Sequence, residues 1–571
     1  SLDFQKMTHR VRTLLLFVLF PAIVVCQSSS LWGTNGISDS SRVYDQSYAG
    51  YKFGNVALPT PAIDSTFSGV NDGSSDVSSA LQASIDSTKA GGVLFIPAGT
   101  YKLSTQVKLT KSIILRGAGS DKTILTPDRS LYDAIGAGSC GSDGGWDWCG
   151  GFIELSSWSQ INRITDITAA AARGATVLSV ADTSQLSVGD IVVVYLKDDA
   201  QVSLRTYLGG QTPADTTNGA TIRHFSSSIT AIDSTAKTIT LQRSTPFEIR
   251  LTWTPEIRTA KKKVEDLGVE HLTIQHPVTT FLGHHVGNWG HNALDLSRCR
   301  NCWVRNVRIL NADNAIIMSD SMQCTILNVY VSGTRGVDSQ GYHGHYGVAI
   351  GSSGGVLVMY FTIDNFQLLH SVSVDQGMAN TFTGMLAIGN GFSADNHGNT
   401  PTWNLFDNVT TSDITKFFNY GGSDGNRPRA GVGMTVYNVR TPSGGLLTYL
   451  PSQDPYPQWN LTIAPYGTTA RGLGQYNVYT EYSTGIFTPA SLYEAMVVQR
   501  LGSSAPIIGD AGSTIGSTGG TTGGATGSTG STGGTGGTSG VTSGGTSPSP
   551  VIDMGGGSRP SALLLPSLAT L

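Results

Sequence analysis

A short apolar–polar pattern returns seven times between residues 264 and 440 of this 571-residue chain. The intervals between the first residues of successive copies are 35, 22, 32, 24, 24 and 30 residues. A strand pattern with a minimum spacing of 22 to 24 residues is typical of one coil of a parallel β-helix. The seven copies begin at Val269, Val304, Ile326, Val358, Phe382, Phe406 and Val436.

Each coil of such a solenoid has backbone edges and an apolar face that only the next coil can satisfy, so the strands must stack. We therefore predict an all-β fold: a right-handed parallel β-helix with a short N-terminal capping helix and an inserted β-rich subdomain. One register position carries asparagine in four copies, which predicts a partial asparagine ladder at a turn. These residues are Asn306, Asn328, Asn408 and Asn438.

Where an interval exceeds 24 residues, the surplus has to leave the stack as a loop. Insertions in solenoids tend to emerge on one face, often the binding face, so we expect a groove there. Nine of the eleven histidines lie between His271 and His397. The long intervals contain His284, His285, His291, Arg335, His343, His345, Lys416, Arg427 and Arg429.

The segment before the repeats predicts the start of the solenoid. Asp76 is a predicted N-cap for a short amphipathic helix whose apolar face includes Leu81 and Ile85. The run from Gly91 to Tyr101, Gly-Gly-Val-Leu-Phe-Ile-Pro-Ala-Gly-Thr-Tyr, predicts a buried strand, a turn and a second strand.

The run from Gly69 to Thr126 closely resembles the opening of pectate-lyase-like β-helix proteins, the superfamily that includes rhamnogalacturonase- and epimerase-like domains. In that superfamily a helix caps the first coil, and the Gly-Gly-Val…Pro-Ala-Gly-Thr-Tyr segment begins the stack. The resemblance implies a secreted, carbohydrate-active protein. It does not by itself identify the reaction.

Residues 131–260 interrupt the stack. Two alternating segments, residues 173–180 and 188–194, and a hairpin at residues 229–241 predict an inserted subdomain that flanks the groove. An enlarged bundle of loops is the alternative. The predicted organisation is a signal peptide at 7–26, first coils at 27–130, the insert at 131–260, the main solenoid at 261–495 and a tail at 501–571.

The composition of the chain indicates which classes of binding partner to expect. Charged residues make up 13% of the chain and the net charge is −4, so a nucleic-acid partner is not expected. We expect a polysaccharide partner and a monomer. Arg10 and Arg12 followed by the apolar run from Leu14 to Val25 predict a secretory signal peptide, and hence an extracellular or cell-surface location.

The C-terminal part is rich in Gly, Ser and Thr as far as Ser549, which predicts a disordered segment. A short apolar stretch from Ala562 to Leu568 follows, and it fits either a GPI-anchor signal or a plain disordered terminus. A GPI anchor is the one predicted route to a membrane.

Cysteines and glycan sequons suit a secreted protein. Cys302 and Cys324 occupy equivalent positions in adjacent coils, so their Cα atoms should lie about 4.8 Å apart, within reach of a disulfide. Cys140 and Cys149 form a second predicted pair, while metal binding by Cys299 and Cys302 is the rival interpretation. Predicted N-glycosylation sites are Asn408 and Asn460.

A polysaccharide lyase removes a proton next to a carboxylate, so it needs a base and a positive charge that stabilises the developing anion. Histidine suits the base because imidazole titrates near neutral pH. The candidate bases are His343, His345, His370 and His397, of which His345 and His370 are favoured, with Arg427 facing the substrate carboxylate. The candidate substrate-binding residues are Arg335, Tyr342, Trp403, Lys416, Arg427 and Arg429. A bound Ca²⁺ is another possible source of the positive charge. No set of metal ligands can be identified from the sequence.

A glycoside hydrolase needs two carboxylates instead, for which Asp375 and Asp395 are candidates together with Asp338. The segment Tyr342-His-Gly-His-Tyr-Gly347 resembles a Gly-His-Gly segment of polygalacturonase-type hydrolases. The aspartate pair of that family is matched only by Asp198 and Asp199, inside the insert.

Each of these residues also has a purely structural interpretation. A histidine in a β-helix turn is often a hydrogen-bonded stacking residue, and an aspartate beside Asn or Gly is often a turn residue. We conclude that the chain is a secreted β-helix acting on a uronic-acid-containing polysaccharide, with a lyase favoured over a hydrolase. A non-catalytic protein that binds cell-wall or matrix polysaccharide is the alternative of another class.

Overall fold

The structure is a computed structural model, and it describes most of the chain between residues 27 and 505. The described residues are 27–38, 40–136, 146, 148, 150–156, 161–209, 221–259, 264–284, 289–397, 401–413, 418–419, 431–441, 459–464, 477–481, 486–502 and 505. The predicted signal peptide and almost all of the predicted tail lie outside them. Among the residues described, none of the helices is long and apolar enough to cross a membrane.

The N-terminal part forms the lead-in and the first coils. Its two helices are α1 (Ser78–Ser87) and α2 (Leu131–Ile135). Its strands are β1 (Gln27–Ser28), β2 (Trp32–Gly33), β3 (Gly36–Ile37), β4 (Ser65–Thr66), β5 (Asp72–Asp76), β6 (Gly92–Ile96), β7 (Gly99–Leu103), β8 (Val107–Leu109), β9 (Ile113–Gly117), β10 (Thr123–Pro127) and β11 (Ile153–Ser156).

Helix α1 forms where the sequence predicts it. The Asp76 carboxylate accepts a hydrogen bond from Ser78 N at 3.0 Å, as a capping side chain does. Leu81 and Ile85 are buried in the core that the coils enclose, so α1 covers the open end of the first coils.

The segment between the two parts of the solenoid forms an antiparallel sheet of six strands with its own apolar core. It also carries helix α3 (Ser203–Gly209), preceded by Asp198 and Asp199, whose carboxylates accept hydrogen bonds from its first backbone N–H groups. Its strands are β12 (Asn162–Asp166), β13 (Val177–Ser179), β14 (Ile191–Lys197), β15 (Thr221–Asp233), β16 (Thr238–Leu241) and β17 (Glu256–Thr259).

The main coils follow. The strands from the insert to the end of the fold are β18 (Gly268–Glu270), β19 (Thr273–Gln275), β20 (Asn292–Ser297), β21 (Trp303–Arg305), β22 (Arg308–Leu310), β23 (Asn314–Ser319), β24 (Thr325–Ser332), β25 (Gly344–Gly351), β26 (Leu357–Asp364), β27 (Leu368–Asp375), β28 (Thr381–Thr383), β29 (Leu386–Gly391), β30 (Ala394–Asn396), β31 (Leu405–Asp407), β32 (Thr410–Asp413), β33 (Phe418–Asn419), β34 (Thr435–Tyr437), β35 (Trp459–Ala464), β36 (Asn477–Thr480) and β37 (Phe487–Thr488). Helix α4 (Leu492–Leu501) comes last.

Successive coils pair in parallel, as predicted. One sheet of eight strands runs in the order β8-β11-β20-β23-β25-β27-β30-β33, and a larger bent sheet of nineteen strands forms the other walls. Parallel strands joined through intervening coils take the right-handed crossover. The chain is therefore a right-handed parallel β-helix.

The predicted inward stacking is confirmed by the strand register. Val304 pairs with Ile326, Ile326 with Val358, and Phe382 lies between Val358 and Phe406. The rings of Phe382 and Phe406 stack at a centroid distance of 4.8 Å. All five side chains lie in one continuous apolar core inside the coils.

The predicted asparagine ladder is also confirmed. Asn306, Asn328, Asn408 and Asn438 all have φ between 48° and 53°, where each coil turns a corner. Asparagine tolerates this left-handed conformation better than most residues. Asn328 Nδ2 donates to Asn306 Oδ1 at 2.6 Å, so this pair links neighbouring coils, whereas Asn438 Nδ2 donates to Ala490 O at 2.9 Å. The predicted glycan acceptor Asn408 is half-buried at this corner.

The predicted disulfide between Cys302 and Cys324 is wrong for this structure, in which both are buried free thiols, as is Cys299. Their predicted adjacency is confirmed, because the following residues Trp303 and Thr325 are strand partners. Cys302 donates to Arg300 O and Cys324 to Met322 O, both at 3.5 Å, and Cys324 Sγ also lies 3.6 Å from Cys299 O of the preceding coil. Cys140 and Cys149 lie outside the described residues.

We expect peptide mapping of the denatured, non-reduced protein to find all three of these cysteines alkylated. In the native protein the same thiols should react slowly, because they are buried and burial raises the pKa of each. A disulfide-linked peptide containing Cys302 and Cys324 would contradict the structure and restore the prediction from sequence.

The outer face of the bent sheet is covered by the two ends of the described chain. Leu31 and Tyr51 of the lead-in pack with Leu492 and Met496 of α4 against outward side chains of the coils such as Trp303. The opposite wall, the eight-stranded sheet, carries the cluster described next.

Candidate active site

The two longest loops between repeats come together at one edge of the eight-stranded sheet. Residues 276–291 precede β20 and residues 333–343 precede β25. Thr280 and Gly336 form a parallel bridge, and Phe281 N donates to Gly336 O at 3.0 Å. The expectation that surplus residues collect on one face therefore holds for this pair of loops.

Beside these loops, four histidines and Tyr346 form a cluster of contacting rings. His345 stacks on Tyr346 at 3.5 Å, and Tyr346 stacks on His370 at 5.3 Å, between ring centroids. The ring of His284 lies 5.1 Å from His345, and that of His397 lies 6.4 Å from Tyr346. The cluster thus joins the loop of residues 276–291 to three successive coils.

Strand register explains why the rings meet. Tyr346 of β25 is the partner of His370 of β27, so parallel pairing places them one strand spacing apart. Next to them, a Cβ on Gly347 would collide with the carbonyl oxygen of Ser371. Only glycine allows the close backbone approach at this point.

A carboxylate lies at the other side of the cluster. Asp395 Oδ2 is 2.7 Å from His397 Nδ1 and 3.9 Å from His370 Nε2, and it accepts a hydrogen bond from Ser373 Oγ at 2.8 Å. The Asp395 side chain is fully buried, whereas that of His397 is 22% exposed. A buried carboxylate that accepts from Nδ1–H directs the lone pair of the ring to Nε2, as a general base requires.

His370 is held in its neutral form. Burial lowers the pKa of His370 to about 4; the nearby Asp395 raises it, and His397 and His284 lower it further. At neutral pH the buried His370 ring is therefore uncharged, and it packs against Tyr346. The preference for His345 or His370 as the base is not supported, because both side chains are buried whereas His397 is partly exposed.

The low pKa of His370 predicts a loss of stability in acid. The unfolded chain takes up this proton near the ordinary value of 6.5, and the folded protein only near 4, so stability falls as the pH drops through this window. His370→Gln should reduce that loss. The measurement is the free energy of unfolding at pH 7 and pH 5, and equal losses in both proteins would contradict the assignment.

Two other predicted site residues are placed differently. His343 stacks on Phe366 at 5.1 Å, its Nδ1 accepts from Gln367 N at 3.0 Å, and its pKa is lowered chiefly by burial. Tyr342 is half-buried in the loop beside it, and its backbone N donates to Asp338. His343 therefore packs against Phe366 and Gln367, and Tyr342 belongs to the loop of residues 333–343.

Arg335, predicted to bind substrate, is buried in this structure and does not face solvent. Its side chain is 1% exposed and its Nη1 lies 2.5 Å from Asp313 Oδ1, in a buried ion pair. It also donates to Asn311 O and to Thr279 Oγ1, both at 3.1 Å. The Arg335 side chain therefore points back toward the coils. Its contacts attach the loop of residues 333–343 to the solenoid.

Trp403 was also predicted to bind substrate, and this is wrong because the residue is 2% exposed. Its ring packs under Tyr44 and lies 4.0 Å from the Arg173 guanidinium, within the core of the inserted sheet. The insert therefore docks on the coils through this tryptophan, and no face of it is available to a sugar.

Asp375 ends β27 two residues after Ser373, and its side chain is buried. Ser373 is the strand partner of Asp395, so Asp375 and Asp395 are diagonal neighbours on adjacent strands. Ser373 was missed from the sequence. The repeat could have revealed it, because positions 373 and 395 are separated by one coil length of 22 residues.

Several predicted residues cannot be placed. Lys416, Arg427 and Arg429 lie outside the described residues, and so does the side chain of Asn460. Within the described part of the chain, no group of three or more His, Cys, Asp or Glu side chains is arranged to hold a metal ion.

A family model described as "Rhamnogalacturonase A/epimerase, pectate lyase-like" matches residues 65–206. The resemblance drawn from the Gly69–Thr126 run is thus confirmed for this part of the chain, and it supports a carbohydrate-active protein. The His–Asp cluster lies outside the matched residues.

Solved structures with a similar course of chain include two phage tailspikes and a bacterial enzyme. The tailspike gp49 of Pseudomonas phage LKA1 is 15% identical with a TM-score of 0.41, covering 72% of this chain and 71% of its own. The gp54 tailspike of Acinetobacter baumannii bacteriophage AP22, in complex with capsular saccharide, is 11% identical with a TM-score of 0.31 and coverages of 72% and 72%.

The catalytic unit of a GH87 alpha-1,3-glucanase from Streptomyces thermodiastaticus is 14% identical with a TM-score of 0.29, covering 76% of this chain and 68% of its own. No curated protein matches the chain in sequence. At such low identities and TM-scores, none of these structures defines the activity or substrate of this protein.

Proposed function

We propose that this protein is a secreted enzyme that cleaves a uronic-acid-containing polysaccharide by β-elimination, with His397 as the base. The observation that carries the proposal is the 2.7 Å contact of His397 Nδ1 with the buried carboxylate of Asp395, on a ring that remains partly exposed. Asp395 orients the ring and stabilises the imidazolium that forms when the proton is taken.

In this reaction His397 Nε2 removes the proton next to the uronate carboxyl group. The electron pair forms a carbon–carbon double bond as the glycosidic C–O bond breaks, and the leaving oxygen takes a proton from a second group or from water. The carboxylate of the substrate needs a positive partner as negative charge develops. Arg427, Arg429 and Lys416 remain the proposed sources of that charge, with Ca²⁺ as the alternative.

A glycoside hydrolase is the second candidate, because Asp375 and Asp395 lie diagonally on one wall. An inverting hydrolase requires two carboxyl groups about 6.5–9.5 Å apart. The placement of these two aspartates on neighbouring strands of one wall is compatible with such a pair. The lyase is favoured because Asp395 already binds Ser373 and His397, so it is engaged as an orienting group and is poorly available as an acid.

The test is a panel of uronic-acid and neutral polysaccharides incubated with the purified protein. Rising ultraviolet absorbance from an unsaturated uronic acid supports the lyase. New reducing ends without that absorbance support the hydrolase. Binding with neither signal supports a protein that only binds polysaccharide, and overturns both enzymatic assignments.

A further inference from the structure

Trp289 is an exposed tryptophan held in a defined position. Its side chain is 45% exposed. Its backbone is anchored by α2, because Tyr132 N donates to Trp289 O at 3.0 Å and Leu131 N donates to Gly290 O at 2.9 Å. The Tyr132 ring meets the indole edge-on at 4.7 Å between centroids.

Other exposed apolar side chains occur on the same two overlong loops. Val278 is 64% exposed, Leu282 56% and Val337 41%. Exposed large apolar side chains on loops can contribute to a binding site. An aromatic ring whose orientation is set in advance loses little conformational entropy when a ligand stacks on it.

The backbone links this surface to the His–Asp cluster through successive coils. Asp313 N donates to His291 O at 2.8 Å, and His345 N donates to Asp313 O at 2.9 Å. His291 follows Trp289 by two residues, and His345 belongs to the ring cluster. From β20 to β30 the sheet advances four strands, about 19 Å along the solenoid axis at roughly 4.8 Å per strand.

We propose that Trp289 is a sugar-stacking subsite, and that the polysaccharide runs obliquely across the eight-stranded sheet from Trp289, before the start of β20, to His397, after the end of β30. This inference rests on the proposed function and adds that the protein prefers chains of several sugar residues, because a mono- or disaccharide is too short to reach both Trp289 and His397. The apolar face of a pyranose ring stacks on the indole.

The experiment compares Trp289→Ala with Trp289→Phe on polymer and on oligosaccharides of graded length. We expect Trp289→Ala to raise KM for the polymer about tenfold with kcat nearly unchanged, to leave KM for the shortest cleaved oligosaccharide unaltered, and to be largely rescued by Phe. Leu251→Ala, which alters a 51% exposed apolar residue on the insert, is the matched control and should change neither.

Affinity for the same polysaccharides is measured in parallel in proteins that also carry His397→Ala. Weaker polymer binding by the double variant supports the subsite even if the wild type cleaves nothing, in which case only the proposed reaction fails. Equal binding, or an equal KM at every chain length, overturns the subsite while the lyase stands. A protein that neither binds nor cleaves any member of the panel overturns both.

Discussion

Replacing His397 with alanine should lower turnover of the preferred polysaccharide by about 10²- to 10⁴-fold, the usual contribution of a positioned general base. A modest loss of stability is expected as well, because the buried Asp395 carboxylate keeps its hydrogen bond from Ser373 but loses the one from His397. The measurement is kcat by the absorbance of the unsaturated product, together with the thermal midpoint of each variant.

Two further variants sharpen this result. Asp395→Asn should also reduce kcat strongly, because an amide no longer selects the Nδ1–H tautomer or stabilises the imidazolium. His343→Ala is the matched control, since its ring contacts Phe366 and Gln367, and we expect it to retain activity. If Asp375→Asn abolishes turnover while His397→Ala does not, the two-carboxylate hydrolase is the correct mechanism.

Replacing Arg335 with alanine should lower the free energy of unfolding by about 3–5 kcal/mol, the usual cost of removing one partner of a buried ion pair. The Asp313 carboxylate would be left buried without its cation, and the loop of residues 333–343 would lose its contacts with Asn311 and Thr279. Urea denaturation of wild type and variant measures the change.

The double variant Asp313→Asn with Arg335→Met is the control for this second prediction. It removes both charges, so it should be more stable than Arg335→Ala alone, and a double-mutant cycle gives the coupling between the two side chains. Unchanged stability combined with a raised KM in Arg335→Ala would instead return this arginine to the substrate-binding role that the sequence suggested.

The repeat in the sequence predicts the strand register but not the role of loop residues such as Arg335. The coil register was predictable because each strand position needs an apolar side chain at a regular interval, as with Val304, Ile326 and Val358. The corner asparagines were predictable for the same reason, since the left-handed backbone at each turn favours Asn. These are local requirements that recur once per coil.

The overlong loops carry no such regularity. The sequence places Arg335 and Trp403 among the binding candidates, yet one closes a buried ion pair and the other fills the core beneath the insert. A long side chain in a loop can point away from the stack or return to it. The outcome depends on Asp313 or Arg173, which belong to other coils or to the insert.

By itself, then, the sequence determined the solenoid, its register, its asparagine corners and the resemblance of its opening to pectate-lyase-like proteins, because periodic burial and turn chemistry are written into short segments. Only the tertiary structure decided that His397 faces Asp395, that Ser373 supports them, and that Cys302 and Cys324 remain thiols. The physical reason is that hydrogen bonds and ion pairs between coils depend on distances and orientations of about an ångström, which a spacing in sequence does not specify.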